Sequence, residues 1–379
     1  MITQEFVQWC QSANSRERAE AISIFAHSLL EGELSGHQRR EVMDVLTIAL
    51  DDPSPKVRMA LAEALAASDR APRQLVRALG DDVAEVSGLV AALSPVLTDG
   101  DLIDIAVEGS GVQHEAVAGR PGLSAHVAAA LAEIADGVAC AILLANRGAR
   151  IGAATHRRLA ERHGADGRVR ALQLQRDDLP VDVRQMLVLQ LAQALGSTPL
   201  VLNALGDRRT QGVVNAACER STALLADRVQ PDEMAGLIEH LRSSGQITTA
   251  FLIRIVCNGN IDLFAAALSA LSGLSGRRVR AIVVDGREAA FDALIATCHL
   301  SPAAGVFLRT AVQIWKQAIT RQAAFDLDAV AAEVMSRLVG IFAERRDEAG
   351  FAAVTALLSR LEAESLRGSR RDQVDRLAA

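Results

Sequence analysis

The chain has no tyrosine, and aromatic residues make up only 3% of its 379 residues. β-Sandwiches and barrels depend on aromatic and β-branched side chains, so this shortage argues against them. Half of the residues belong to a hydrophobic set that includes alanine. Because Ala and Leu are among the strongest helix formers, this composition predicts an all-α protein.

Basic residues show no surplus, since the formal net charge is −6. Nucleic-acid-binding domains usually carry excess positive charge that displaces counterions from phosphates, so nucleic acid is an unfavoured partner. The chain also lacks a long apolar run, and stretches such as 138–145 fall far short of the ~20 residues that span a bilayer. The first ten residues, MITQEFVQWC, do not follow the pattern of a signal peptide. We therefore expect a cytoplasmic protein without membrane spans.

Motifs of enzyme chemistry are missing. No C-x-x-C, H-E-x-x-H, G-x-S-x-G or P-loop pattern occurs in the sequence. His156 and His163 share a helical face, but the nearby arginines disfavour a cation, so we interpret them as residues of a solvated face. Cys298 and His299 are interpreted as a core cysteine beside a turn histidine. We predict no catalytic residues, no metal and no cofactor, and buried single thiols at Cys10, Cys140, Cys218, Cys257 and Cys298.

Helical periodicity and capping signals are present from the start of the chain. Ser35 and Gln38 have the spacing of a capping box before one helix, and Ser54 is placed to cap the next helix, which begins at Pro55. An internal repeat follows, in which Leu123, Ile151 and Leu179 lie 28 residues apart (151−123 and 179−151). Four and eight residues beyond these anchors come Val127 and Leu131, Thr155 and Leu159, and Val183 and Leu187.

A repeat of 28 residues cannot bury its apolar face alone and must stack on the neighbouring repeats. We therefore predict an α-solenoid of HEAT-like stacked helix pairs over residues 1–225, followed by a helical C-terminal domain over 226–366. That domain is expected to end in an αα-hairpin turning near Gly350, whose apolar stripe either closes the stack or pairs with a second copy. The charged residues 367–379 are expected to be frayed or disordered.

The repeats resemble HEAT-type and leucine-rich-variant helical repeats. The segment from residue 241 to 302 is more specific and contains LRSSG, IT, FAAAL, LSGL, RVRAI, FDAL and LSP in that order. It resembles an uncharacterised family common in alphaproteobacteria, domain of unknown function number 2336. The resemblance implies an all-helical bacterial protein and supplies no catalytic residues.

Helical solenoids usually act by displaying a long surface, so we predict a non-catalytic scaffold that binds another protein, in bacterial regulation or assembly. A basic residue precedes each repeat anchor, and Arg120, Arg147 and Arg176 are candidate partner-binding residues on one edge. The same arginines could instead cap helix C-termini or pair with acidic neighbours such as Asp177 and Asp178.

Two alternatives and one further site stay open at this stage. A nucleic-acid-binding HEAT-like protein would use the same three arginines as a basic groove, although two tryptophans and no tyrosine offer little base stacking. An unrecognised enzyme would require a deep pocket with convergent polar groups. A Ser-Gly turn that opens a helix beside three arginines is a candidate anion site, and its residues are Ser275, Gly276, Arg277, Arg278 and Arg280.

Overall fold

The computed structural model describes residues 2–32, 34–226, 233–321, 327–345, 347–348 and 350–364. Over these ranges every helix or strand assigned is an α-helix, so the all-α prediction is confirmed. The chain forms two compact units, Met1–Val183 and Arg184–Ala379. The domain boundary predicted near residue 225 falls inside the second unit, at the end of a long helix. The predicted tail, residues 367–379, lies outside the described residues.

The first unit is built from short helices joined by tight turns. They are α1 (Ile2–Cys10), α2 (Ser15–Glu31), α3 (Gly36–Leu50), α4 (Pro55–Leu65), α5 (Arg73–Gly80), α6 (Ala84–Leu93), α7 (Asp99–Glu108), α8 (Gly111–Ala118), α9 (Ala125–Ile134), α10 (Gly137–Ala145), α11 (Ala153–His163) and α12 (Gly167–Leu174).

Local capping explains where several of these helices start. The predicted box before α3 is confirmed, because the Gln38 N–H donates to Ser35 Oγ at 3.4 Å and the Ser35 N–H donates to Gln38 Oε1 at 3.0 Å. Pro55 takes the first position of α4 as predicted, but Ser54 makes no side-chain cap. Its N–H instead donates to Asp52 Oδ1 at 2.9 Å, so the turn is fixed by the aspartate.

The helices of the first unit stack in two series. The even-numbered helices from α2 to α12 each contact the next even-numbered helix, and the odd-numbered helices from α1 to α11 do the same. The repeat anchors Leu123, Ile151 and Leu179 are buried, as are the residues four and eight positions beyond each of them. The inward stripes predicted from the 28-residue register are therefore present.

The remaining helices, of which the first begins just before the division, are longer on average. They are α13 (Val181–Gly196), α14 (Pro199–Leu205), α15 (Asp207–Ala226), α16 (Met234–Ser243), α17 (Thr249–Cys257), α18 (Ile261–Ser272), α19 (Gly276–Asp285), α20 (Glu288–Thr297), α21 (Pro302–Arg321), α22 (Leu327–Ala343) and α23 (residues 352–364). No single described helix is long and apolar enough to cross a membrane; α13 and α14 reach that threshold only together, and they are bent by 67°.

Aromatic side chains hold the end of the second unit together. The rings of Phe307 and Phe342 lie 5.0 Å apart, and Phe342 stacks on Phe351 at 5.7 Å. Gly350, with φ of +87°, lies between α22 and α23, where the hairpin was predicted to turn. The apolar stripe of this hairpin is buried inside its own unit, so a dimer through these helices, which remains a prediction, would have to use their outer faces.

Candidate functional site

Arg120 lies just after α8 and reaches back to the preceding even-numbered helix. Its guanidinium donates to the carbonyl oxygen of Ala91, in the last turn of α6, and to that of Ser94 at 2.8 Å. These carbonyls have no partner within their own helix, and a cationic donor there also opposes the helix dipole. Burial lowers the pKa of Arg120 from its ordinary value. Arg120 therefore joins α6 to the loop after α8.

Arg176 has the same role at α10, two even-numbered helices after α6, and is more deeply buried, with 6% of its surface exposed. It donates to the carbonyl oxygens of Leu144 at 3.3 Å, Asn146 at 3.0 Å and Ala149 at 3.1 Å, at the end of α10 and beyond it. A bidentate pair with Asp178, at 2.8 and 2.7 Å, completes its donors and lowers the pKa of the Asp178 carboxyl. Arg176 is thus a structural cation.

Arg147 breaks this series, because its side chain is exposed. Its neighbour Asn146 takes the capping position instead, and its Nδ2 donates to the carbonyl oxygens of Ala118 at 2.9 Å and Arg120 at 2.7 Å. Asn146 carries no charge and therefore did not stand out in the sequence, although the position requires only a side-chain N–H donor. The capping bonds link residues 26 to 32 apart, close to the repeat length.

The three candidate arginines therefore do not form one exposed edge. Arg120 caps a helix C-terminus and Arg176 pairs with Asp178, which are the two structural roles that the sequence left open. Only Arg147 remains available to a partner. The basic groove on which the nucleic-acid alternative relied would have to recruit other cations.

The candidate anion site lies at the start of α19 and is fully open to solvent. Ser275 is the N-cap residue but forms no side-chain cap, and all five of the candidate residues are exposed. Arg280 pairs with Asp262 at 2.8 Å on the surface, whereas neither Arg277 nor Arg278 has an ion pair among the described residues. Arg277 and Arg280 contribute to the wall of an open depression of about 430 Å³, completed by Ala281, Val284 and Asp285.

His156 corrects one expectation from the sequence. It was interpreted as part of a solvated face, but its side chain is completely buried. Gln173 Nε2 donates to the His156 carbonyl oxygen at 2.6 Å, and the His156 Nε2 lies 3.4 Å from Asp178 Oδ1. Burial lowers the pKa of this imidazole. Within the described residues, no group of three or more His, Cys, Asp and Glu side chains is arranged to hold a metal ion.

A second polar cluster lies within the second unit and was not anticipated. Arg254, in the apolar helix α17, is only 4% exposed, and its Nη1 donates to Glu364 Oε2 at 2.7 Å. Arg220 donates to the other oxygen of Glu364 at 3.0 Å. Burial raises the pKa of the nearby Glu219, which accepts a hydrogen bond from Thr248 at 3.3 Å. This cluster ties α15, α17 and α23 together.

The thiols are poor nucleophiles. Burial raises the pKa of Cys140 and Cys298 to about 11 and that of Cys257 to about 12, so almost none of each is thiolate at neutral pH. Burial of these three cysteines is confirmed, whereas Cys10 and Cys218 are only partly buried. His299, with φ of +56°, occupies a turn beside the buried Cys298, as predicted.

These features define an all-α protein of packed short helices whose conspicuous charged groups mostly bind its own backbone or carboxylates. The family model described as "Uncharacterised protein conserved in bacteria (DUF2336)" matches residues 86–341, which is more than half of the chain. The chain therefore belongs to this family, as its resemblance indicated. Comparison with curated proteins and with solved structures gave no match.

Proposed function

We propose that this chain is a non-catalytic helical-repeat scaffold that binds another protein in the bacterial cytoplasm, in regulation or assembly. The observation that supports it best is the two-series stacking in the first unit. Within it, Arg120, Asn146 and Arg176 bond the C-terminal ends of α6, α8 and α10 to residues that lie 26 to 32 positions later. Repeats that share a core with their neighbours stack into an extended surface. Helical-repeat proteins of the HEAT type use such a surface to recognise partners.

The chemistry of the described residues favours a binding protein over an enzyme. The thiols with the most strongly raised pKa values are buried, and the buried His156 contacts only structural groups. The depression beside α19 is open and has a wall of arginines, aliphatic side chains and one aspartate. Catalytic sites usually enclose their substrate and combine convergent polar groups with perturbed pKa values.

The exposed edge formed by Arg277 and Arg278 is the part of the surface that we propose for recognition. Both side chains lie at the start of α19 and have no ion pair among the described residues. Free guanidinium groups beside unsatisfied helix N–H groups favour carboxylates, which they can bind in bidentate fashion. We propose that this edge contacts acidic side chains of the protein partner.

A capture experiment from the native host tests the proposal. The full chain is compared with Arg277→Glu/Arg278→Glu and with Arg39→Glu/Arg40→Glu, a matched pair of exposed arginines on α3 in the first unit. We expect the first variant to lose the captured protein and the control to retain it, with binding that weakens as salt rises. Unchanged capture by both variants would show that the α19 edge is not the binding site.

The wider proposal has its own test. If the unmodified chain retains no protein and instead shifts a labelled duplex or RNA at low salt, the nucleic-acid alternative is correct. Arg147→Glu is the clean variant for the repeat edge, since Arg120 and Arg176 hold the fold together and their replacement would disrupt it. We expect no shift with either nucleic acid.

A further inference from the structure

A long stretch of the second unit is uncharged and unburied. Residues 185–206 contain no Asp, Glu, Lys or Arg, although such residues make up 23% of the chain. From residue 188 to 209, covering most of α13 and all of α14, no side chain is buried. Leu195 is 56% exposed and Leu200 is 81% exposed. Exposed apolar side chains scattered singly are ordinary, but a segment without charged or buried side chains that carries Leu195, Leu200 and Leu205 at its surface is typical of an interface.

One side of this segment is already anchored. Gln185, at the start of the uncharged stretch, donates to Thr222 Oγ1 in α15 and to Gln246 Oε1 at 3.1 Å. At the other end of α13, a Cβ on Gly196 would lie 2.8 Å from Val214 Cγ2, so that end of the helix is pressed against α15. Helix α13 therefore touches α15 near both of its ends, through Gln185 and Gly196.

We propose that residues 188–206 form the interface through which two copies of this chain pair about a two-fold axis. In such a contact both copies use the same patch of surface, so a charged residue near the axis would lie close to the identical charged residue of the other copy. An uncharged segment avoids that repulsion in a chain of net charge −6. It also fits the depletion of charged residues in interface cores, and the exposed residues of this stretch would form the centre of an interface to which each partner contributes roughly 20–30 residues.

Other occupants fit the segment less well. Helices that lie on a lipid surface carry lysine or arginine on the polar face, whereas the polar positions here are Gln190, Gln193, Ser197, Thr198 and Asn203. A strongly charged partner would find no opposite charge within the segment. The pairing concerns a different surface from the α19 edge, so it stands independently of the proposed scaffold function.

Sedimentation equilibrium of the full chain tests the pairing directly. We expect a species of twice the chain mass of 40.2 kDa. Leu195→Glu/Leu200→Glu places charges in the symmetric contact and should weaken self-association at least about 100-fold, leaving a monomer. Because both leucines are exposed, the helical circular dichroism should not change. Ile24→Glu, at a position 69% exposed in the first unit, is the matched control and should remain dimeric.

Three results would overturn the proposal. The first is an unmodified chain that stays monomeric up to about 100 µM, a concentration at which even weak pairing is visible. The second is a double variant that sediments as a dimer. The third is a monomer that floats with phosphatidylcholine–phosphatidylglycerol vesicles through the two leucines, which would assign the segment to lipid. Leu200→Gln is a milder variant, and it should weaken pairing in the same direction.

Discussion

The ring of Trp315 closes over Gly259. The indole N–H donates to the Val256 carbonyl oxygen at 2.7 Å, and Gly259 continues the turn with φ of +82°. A Cβ at this glycine would lie 2.6 Å from Trp315 Cη2, closer than side-chain atoms approach one another. The tryptophan and the turn after α17 therefore fit together only when residue 259 has no side chain.

Gly259→Ala should lower the free energy of unfolding of the second unit by about 3 kcal/mol, because left-handed strain and overpacking add. Gly245→Ala is the matched control, since Gly245 has φ of +68° but a Cβ added there would meet nothing within 4 Å. It should lose only about 1 kcal/mol. Urea unfolding followed by tryptophan fluorescence in a Trp9→Phe background, in which Trp315 is the remaining tryptophan, measures both variants. Equal losses would show that the ring contact is unimportant.

Asn146→Ala should destabilise the first unit by about 1–2 kcal/mol, because two helix-end carbonyls lose their donor. Arg147→Ala, one residue away and exposed, should change stability by less than about 0.5 kcal/mol. Hydrogen exchange of the amides in α8 and α10 localises the effect. If the arginine variant is the more damaging of the two, the assignment of the capping position is wrong.

Glu364→Ala should cost about 3 kcal/mol, because it leaves the Arg254 guanidinium buried without its carboxylate. The exposed Glu348, which pairs with Arg345 at 2.8 Å, provides the comparison, and Glu348→Ala should have a much smaller effect because solvent screens this pair. A double variant, Arg254→Met/Glu364→Leu, should recover most of the stability in thermal unfolding. If the double variant stays as unstable as Glu364→Ala, the Arg254–Glu364 pair stabilises the fold by more than cancelling each other's buried charge.

Mild acid should destabilise the first unit through His156. Since burial holds the pKa of this imidazole below its ordinary value, the unfolded chain binds the proton more readily than the folded one. The contribution of the neutral His156 to the free energy of unfolding is fully present above about pH 6.5. It is lost as the pH falls towards the pKa of the folded state, by at most about 1.4 kcal/mol per pH unit. Arg176 opposes the added charge, whereas Asp178 partly offsets it.

His156→Gln should flatten the pH dependence of thermal unfolding between about pH 7 and pH 5. His126→Gln, at an exposed position on α9, should preserve it. Hydrogen exchange in α11 and α12 would assign the loss to the helices that contain His156 and Gln173. A wild-type curve that is flat over this range would contradict the prediction.

The sequence predicted those features that depend on local periodicity. The anchors Leu123, Ile151 and Leu179 repeat at constant spacing, each two residues before a helix. The residues four and eight positions beyond each anchor are buried because an amphipathic helix turns one side inward. The capping box at Ser35 and the turn at Gly350 depend on neighbouring residues and were equally accessible.

Features that depend on distant partners could not be predicted in this way. Arg254 lies in an apolar run, and the carboxylate that neutralises it is 110 residues away. His156 has charged neighbours in sequence, yet the helix turns it towards Gln173 in the interior. Asn146 stands one residue from the predicted Arg147 because the loop, and not the repeat register, decides which donor reaches the carbonyls.

The backward hydrogen bonds of the repeats also set an order in which the molecule can be completed. At the end of α6 the Ala91 carbonyl accepts from Arg120, and at the end of α10 the Leu144 carbonyl accepts from Arg176, each donor lying some 30 residues later in the chain. During synthesis from the N-terminus, each of these helices therefore waits for some 30 more residues before its end is sealed. The helix ends of the first unit therefore receive these donors in order, from α6 to α10, as the chain is synthesised.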